Sequence, residues 1–193
     1  MTLSIDSFVY HRDEPFPFTD FDRTQLTHLS KTLQSHLNVL NKLTLPLQSI
    51  EDEIQEQSEV FSSPLTIWIL RLDNTIVGYA TTYSEGHPVL ASFVISPYLR
   101  QQGLGKRFLF VIRHHFAEAS LKVCVLKKDV TALQFYHSSQ GFIDYDHTGR
   151  FTHLMIFPPV KPKRESYALP REHYVDSPNQ NVDFREPSPY PHL

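Results

Sequence analysis

The chain has 193 residues, 40% hydrophobic and 12% aromatic, enough to bury the core of one domain with an appendage. A net charge of −3 and a pI near 6.4 argue against a dedicated nucleic-acid binder, which carries a basic excess. One cysteine excludes an internal disulfide, and the most apolar run, LTIWIL, is far short of the roughly 20 residues of a membrane helix.

Residues 3–10 alternate and predict a first strand. Thr19-Asp20-Phe21-Asp22 has the form of a capping box, and behind it Leu26, Leu29, Leu33, Leu37 and Leu40 recur at helical spacing. Ser49-Ile50-Glu51-Asp52 opens a shorter acidic helix running to about Phe61, whose Glu51, Asp52, Glu53 and Glu56 read as a solvated face. LTIWILRL (65–72) and TIVGYATTY (75–83), separated by Asp73-Asn74, read as a hairpin. A turn over 84–88 leads to VLASFVI (89–95), a strand expected to be buried on both faces.

Leu104, Phe108, Val111, Ile112 and Phe116 mark a third helix, on whose solvated side His114 and His115 are expected. LKVCVL (121–126) is a strand that places Cys124 in the core; residues 132–138 are helical; 142–146 and 151–157 form a last hairpin. The order is therefore β, α, α, β, β, β, α, β, α, β, β, for a domain over residues 1–157. Residues 158–193 hold eight of the fourteen prolines. This proline-rich tail also carries Tyr167, Leu169, Tyr174, Phe184 and Tyr190, which suggests that it docks on the domain or on a second copy, so a homodimer stays open.

The stretch SPYLRQQGLGKRFL (96–109) carries the strongest chemical signal. Two glycines between a strand and a helix let bare backbone approach an anion at the positive end of the helix. A nucleotide-hydrolase phosphate loop would need glycine at Arg100, and a dinucleotide fingerprint would need glycine at Phe108, so neither fits. The eleven histidines form no HExxH and flank no CxxC, so no metal is expected. Arg100-Gln101-Gln102-Gly103-Leu104-Gly105 matches R/Q-x-x-G-x-G/A, and Ile95-Ser96-Pro97-Tyr98 precedes it. Further on, Asp129-Val130-Thr131-Ala132-Leu133-Gln134-Phe135-Tyr136 is followed by Gly141-Phe142. In these motifs and in strand order the chain resembles the GNAT superfamily of N-acetyltransferases over residues 3 to 157.

The resemblance implies an α/β fold: a central, mostly antiparallel mixed sheet of about seven strands with flanking helices, splayed between the fourth and fifth strands. It implies acetyl-CoA as co-substrate and direct transfer of the acetyl group to an amine of a small molecule or protein. No nucleic acid and no membrane are expected as partners. A non-catalytic acyl-CoA-binding or interaction module is the alternative. Arg100, Gln101, Gln102, Gly103, Leu104, Gly105 and Lys106 would hold the pyrophosphate. Phe93 and Ile95, pointing alike on the strand, would offer backbone groups to the pantetheine arm, and Val94 would join them at the cofactor, with an N–H near Val94 or Ile95 facing the developing oxyanion. Asp129 stands where the family usually has an asparagine that donates to the cofactor. Tyr136 would protonate the leaving thiolate; counting back from Gly141 puts that place at His137 instead, and Tyr136 is the expectation because packing fixes the helix start. Glu85 and His87, in the turn before the fourth strand and beside Tyr83, are the candidate bases. The opening MTLSIDSFVY lacks the regions of a signal peptide, so a cytoplasmic protein is expected.

Overall fold

The computed structural model describes residues 2–12, 14–61, 63–139 and 142–156, all within one unit spanning Met1–Val160. The tail, with the docking expected of it, lies outside the described residues. Among the described residues, seven strands and four helices follow in the expected order: β1 (Leu3–Tyr10), α1 (Asp20–Asn41), α2 (Ile50–Val60), β2 (Leu65–Leu72), β3 (Thr75–Glu85), β4 (His87–Ile95), α3 (Leu104–His115), β5 (Leu121–Leu126), α4 (Val130–His137), β6 (Ile143–Thr148) and β7 (Phe151–Ile156).

Local chemistry accounts for the boundaries. Thr19 caps α1 by accepting from the Asp22 N–H at 3.2 Å, and Ser49 and Asp52 form a reciprocal capping box on α2. The turn expected over 84–88 shrinks to its tip. Glu85 pairs with His87 across Gly86, whose φ of 72° suits a residue without a Cβ.

The strands form one sheet in the order β1-β2-β3-β4-β5-β7-β6. Every neighbouring pair is antiparallel except β4–β5, which is parallel and holds for two register positions, Val89↔Lys122 and Leu90↔Val123. Beyond them the strands part. A bulge marks the place: Thr82 faces Leu90 and Thr81 faces Ser92, leaving Ala91 without a partner. Residues 91–95 of β4 therefore present an open edge towards residues 124–126 of β5.

Each face of the sheet has its own core. On one face α3 and α4 bury Phe108, Leu109, Ile112 and Tyr136 against Trp68, Leu90, Ile95, Val123 and Leu154. On the other, α1 and α2 bury Leu26, Leu29, Ile50 and Ile54 against Ile67, Ile69, Tyr79 and Val94. Three sequence expectations need correction. The strand 89–95 is not buried throughout, because the bulge leaves Ala91 exposed. Cys124 is exposed rather than in the core, because strand alternation turns it away from Val123 and Val125. The acidic helix is not wholly solvated, because Glu53 shares a face with Ile50 and Ile54 and is buried with them.

Candidate active site at the parted strands

After β4 the chain makes a short 3-10 turn over Pro97–Leu99 and then reverses through two positive-φ residues, Gln101 (64°) and Gly103 (77°). Gly103 is the N-cap of α3 and supplies no side-chain cap. The first helical bond runs from Arg107 N to Gly103 O at 3.1 Å, so the N–H groups of Leu104, Gly105 and Lys106 have no helical acceptor. A Cβ on Gly103 would meet nothing within 4 Å, so the space beside this turn is open. Arg100, Lys106 and Arg107 are exposed around it, and none is ion-paired with a described acid. Arg100 also bonds back through Nε to the Ile95 carbonyl at 3.2 Å, tying the loop to the strand end. Donors, helix dipole and cations converge as an anion cradle demands.

Gly105 answers a different need. A Cβ there would lie 3.2 Å from the Phe135 ring and 3.5 Å from Ile95, so its absence lets α3 close against both β4 and α4. Phe93, on the parted segment of β4, completes this wall. Its ring centroid lies 5.4 Å from Phe108, 5.6 Å from Phe135 and 6.3 Å from Tyr136.

The ladder decides which β4 amides face the opening. Ser92 N donates to Thr81 Oγ1 (3.1 Å) and Ser96 N to Val77 O (2.8 Å), both on β3. Alternation then turns the Val94 N–H to β3 as well, and those of Phe93 and Ile95 to the open edge. Val94, expected with its neighbours at the cofactor, instead spends its backbone on β3 and its side chain on the α1–α2 core.

On the other wall, Asp129 caps α4 by accepting from Ala132 N at 2.9 Å, and its second oxygen pairs with Nε2 of His36 on α1 at 2.9 Å. Each carboxyl oxygen thus already has one partner inside the fold. Tyr136 is buried, with its ring 5.5 Å from Phe142, and its hydroxyl bonds to no described residue. Burial, and secondarily the Asp129 charge, pushes its pKa well above that of an ordinary phenol. His137 is half-exposed and pairs with Asp144 on β6 at 3.0 Å, facing away from the opening. Gly141 lies outside the described residues.

Glu85 and His87 sit exposed at the β3–β4 hairpin tip. His87 lies four positions before Ala91, about 13 Å along a strand. The fold does not bring either to the parted strands. Tyr83, stacked on Phe61 with centroids 3.5 Å apart, lies nearer; burial raises its pKa first, and then the charges of Glu85 and Cys124. Burial also raises the Cys124 thiol, which Lys122 partly offsets.

Sequence reasoning missed Glu53. Its side chain reaches the sheet beside the β4 bulge and accepts from Tyr79 OH (2.9 and 3.1 Å), Ser92 Oγ (2.8 Å), Gln57 Nε2 (3.1 Å) and Ser30 Oγ. The signal was present: Ile50, Glu53, Ile54 and Gln57 are spaced i, i+3, i+4, i+7, one helix face.

Comparison with known proteins agrees with this geometry. The model of an acetyltransferase (GNAT) domain matches residues 35–161, about two-thirds of the chain. No curated protein matches by sequence. Among solved structures, the PaiA N-acetyltransferase from Thermoplasma acidophilum, in complex with coenzyme A, is 13% identical, with a TM-score of 0.56 over 80% of this chain and 98% of that one. An acetyltransferase from Thermus thermophilus is 20% identical, with a TM-score of 0.61 over 81% and 97%. The ribosomal-protein-S18-alanine N-acetyltransferase from Escherichia coli is 18% identical, with a TM-score of 0.54 over 86% and 99%. At these identities the structural likeness establishes the fold, and the domain model carries the family.

Proposed function

We propose, from the premise that this chain belongs to the GNAT acetyltransferase family and moves an acetyl group from acetyl-CoA to an amine, that the parted strands β4 and β5 form its active site. The observation that carries the assignment is the pairing of an uncapped helix start at Gly103 with a sheet edge that opens after two register positions. The backbone N–H groups and cations of residues 100–106 suit a pyrophosphate. The edge-facing amides of Phe93 and Ile95 suit the pantetheine arm, which can complete the strand edge as a peptide would.

The chemistry follows from charge. The amine must lose a proton before it attacks, since an alkylamine with a pKa near 10.4 is free base in about one molecule in 2,500 at pH 7. Its nitrogen then attacks the thioester carbonyl, and the oxygen that becomes negative needs a donor already in place. The Phe93 N–H, the deeper of the two edge-facing amides, takes that role. As the C–S bond breaks, the sulfur gains charge and accepts the hydrogen bond of the Tyr136 hydroxyl, then its proton. The raised phenol pKa keeps the resting hydroxyl protonated and also makes it a weaker acid, so the proton passes only once the sulfur carries its full charge. Glu85 and His87 lie at the hairpin tip and serve at most the acceptor's entrance.

Gly103→Glu tests the cradle. The space beside Gly103 is open but its φ of 77° strains any side chain, so Gly103→Ala is the control for the backbone, and the added carboxylate of Gly103→Glu then occupies the place of the pyrophosphate. Calorimetry should show coenzyme A binding weakened by more than tenfold, the scale of one or two charge-assisted hydrogen bonds. Equal affinity in variant and wild type refutes the placement.

A further inference from the structure

Glu53 is the one carboxylate in the described fold that is buried at a point next to the reaction centre and balanced by no cation. It is 8% exposed, and all four groups that bond to it are neutral donors: Ser30 from α1, Gln57 from its own helix, Tyr79 from β3 and Ser92 from β4. Tyr79 is the only titratable group among them, and burial together with the Glu53 charge raises its pKa well above the ordinary phenol value, so it donates rather than competes for the proton. A buried charge without a partner is costly, and sequences keep one where it meets a charge that arrives later.

Ser92, itself buried, is the member of this cluster that lies on the parted segment of β4. It follows Ala91, the exposed residue of the bulge where β4 leaves β5. Its hydroxyl donates to Glu53 Oε1 at 2.8 Å and accepts from Gln57 Nε2 at 3.0 Å. A hydroxyl has one proton and two lone pairs, so one lone pair remains uncommitted. Gln57 is itself locked, because its Oε1 accepts from Thr81 Oγ1 at 2.9 Å. The amide therefore cannot flip to withdraw its donor without leaving Thr81 unmatched.

Building on the acetyl-transfer assignment above, we propose that Glu53 is the proton acceptor of the reaction, reached through the Ser92 hydroxyl, and that it selects an acceptor arriving as an alkylammonium. The ammonium N–H transfers its proton to Ser92 Oγ while the Ser92 proton passes to Glu53. The resulting neutral amine attacks the thioester, the C–N bond forms and the C–S bond breaks. The sulfur takes a proton from Tyr136, the nitrogen's second proton restores the Tyr136 phenol, and Glu53 gives its proton to solvent, so that one proton is released in net. Binding also gains from the charge: an ammonium neutralises the field that Glu53 sets up in a low-dielectric wall.

The test compares two probe amines. Ethylamine is protonated at pH 7, whereas trifluoroethylamine is already a free base there and needs no proton acceptor. Transfer is followed by release of free coenzyme A from acetyl-CoA. For Glu53→Gln, kcat/KM should fall about 10²-fold or more with ethylamine and no more than about threefold with trifluoroethylamine. The ethylamine deficit should shrink as pH rises. Ser92→Ala, which leaves the carboxylate in place with three of its donors, should show the same split and guards against a folding defect in the first variant. A loss equal for both amines makes the cluster merely structural and overturns the proposal, as does no loss with either. Transfer by the wild-type chain to trifluoroethylamine but not ethylamine overturns the acceptor class. Failure to bind coenzyme A in calorimetry would instead refute the acetyl-CoA site itself.

Discussion

Replacing Tyr136 by phenylalanine pulls stability and activity in opposite directions, which makes it the sharpest probe of the site. The ring is held by Phe135 at 5.1 Å, Phe142 at 5.5 Å and Phe93 at 6.3 Å, and phenylalanine keeps all three neighbours. The hydroxyl bonds to no described residue, so its removal breaks no hydrogen bond among the described residues. The expected change in stability is 0 to about +1 kcal/mol, or a melting temperature unchanged or raised by up to about 4 °C. The reaction, in contrast, loses its donor to the sulfur, and kcat should fall roughly 10²-fold. Coenzyme A affinity should stay near wild type, because the ring still lines the wall. Release of free coenzyme A over a panel of alkylamines and peptides measures the rate, and a thermal melt measures stability. His137→Ala is the matched control, since that side chain is engaged with Asp144 on the outside of the sheet. If kcat stays within about threefold, the phenol only packs and water protonates the thiolate. If His137→Ala is the slower variant, the acid is one residue further on.

Two further outcomes bear on the frame around the site. Gly78→Ala should destabilise the fold by about 1–3 kcal/mol and lower the melting temperature by several degrees, because the added carbon would stand 2.7 Å from the Val94 carbonyl oxygen and 2.8 Å from Ile95 Cδ1; an unchanged melt refutes the close approach. The Arg71 guanidinium, 2.8 Å from Asp22, holds that carboxyl below its ordinary value mainly through their hydrogen bond. A depressed folded pKa adds stability above the ordinary carboxylate value of about 3.9 that is lost as pH falls through the folded value. Melts of the wild type should therefore fall more steeply below about pH 4 than those of Asp22→Asn, and parallel curves would refute the coupling.

Much of the fold was legible in local patterns. Leucines at helical spacing announced α1, and the Asp73-Asn74 turn announced the β2–β3 hairpin, because both signals depend on neighbours a few residues away. The two glycines of residues 100–105 announced the turn into α3 for the same reason. What escaped depended on tertiary register. Val94 and Ile95 look equivalent in the chain, and only the pairing of β4 with β3 turns one amide inward and the other to the opening. The partner of Asp129's second oxygen is His36, 93 positions away. Cys124 looked buried because a central strand usually is, but the strand beside it departs just where its side chain emerges. Glu53 was a failure of attention to periodicity, hidden among Glu51, Asp52 and Glu56, which do face solvent.

The two-position pairing between β4 and β5 makes the sheet a pair of leaves sharing a narrow seam. One leaf is a meander of β1 to β4, with α1 and α2 packed on it. The other is β5 with β7 and β6. Few main-chain bonds cross the seam, so what couples the leaves is side chains: the core that α3 and α4 share with Leu90 and Ile95 on one leaf and Val123 and Leu154 on the other, with Phe93 packed against it, and the His36–Asp129 pair. Such a joint divides the domain into subunits of cooperativity whose local opening costs less than global unfolding. A ligand bonding to both edges would act as a removable strand, supplying the ladder that the chain leaves out. With acetyl-CoA bound there as proposed, loading would fasten the two halves into one cooperative body, and release of the thiol product would loosen them again.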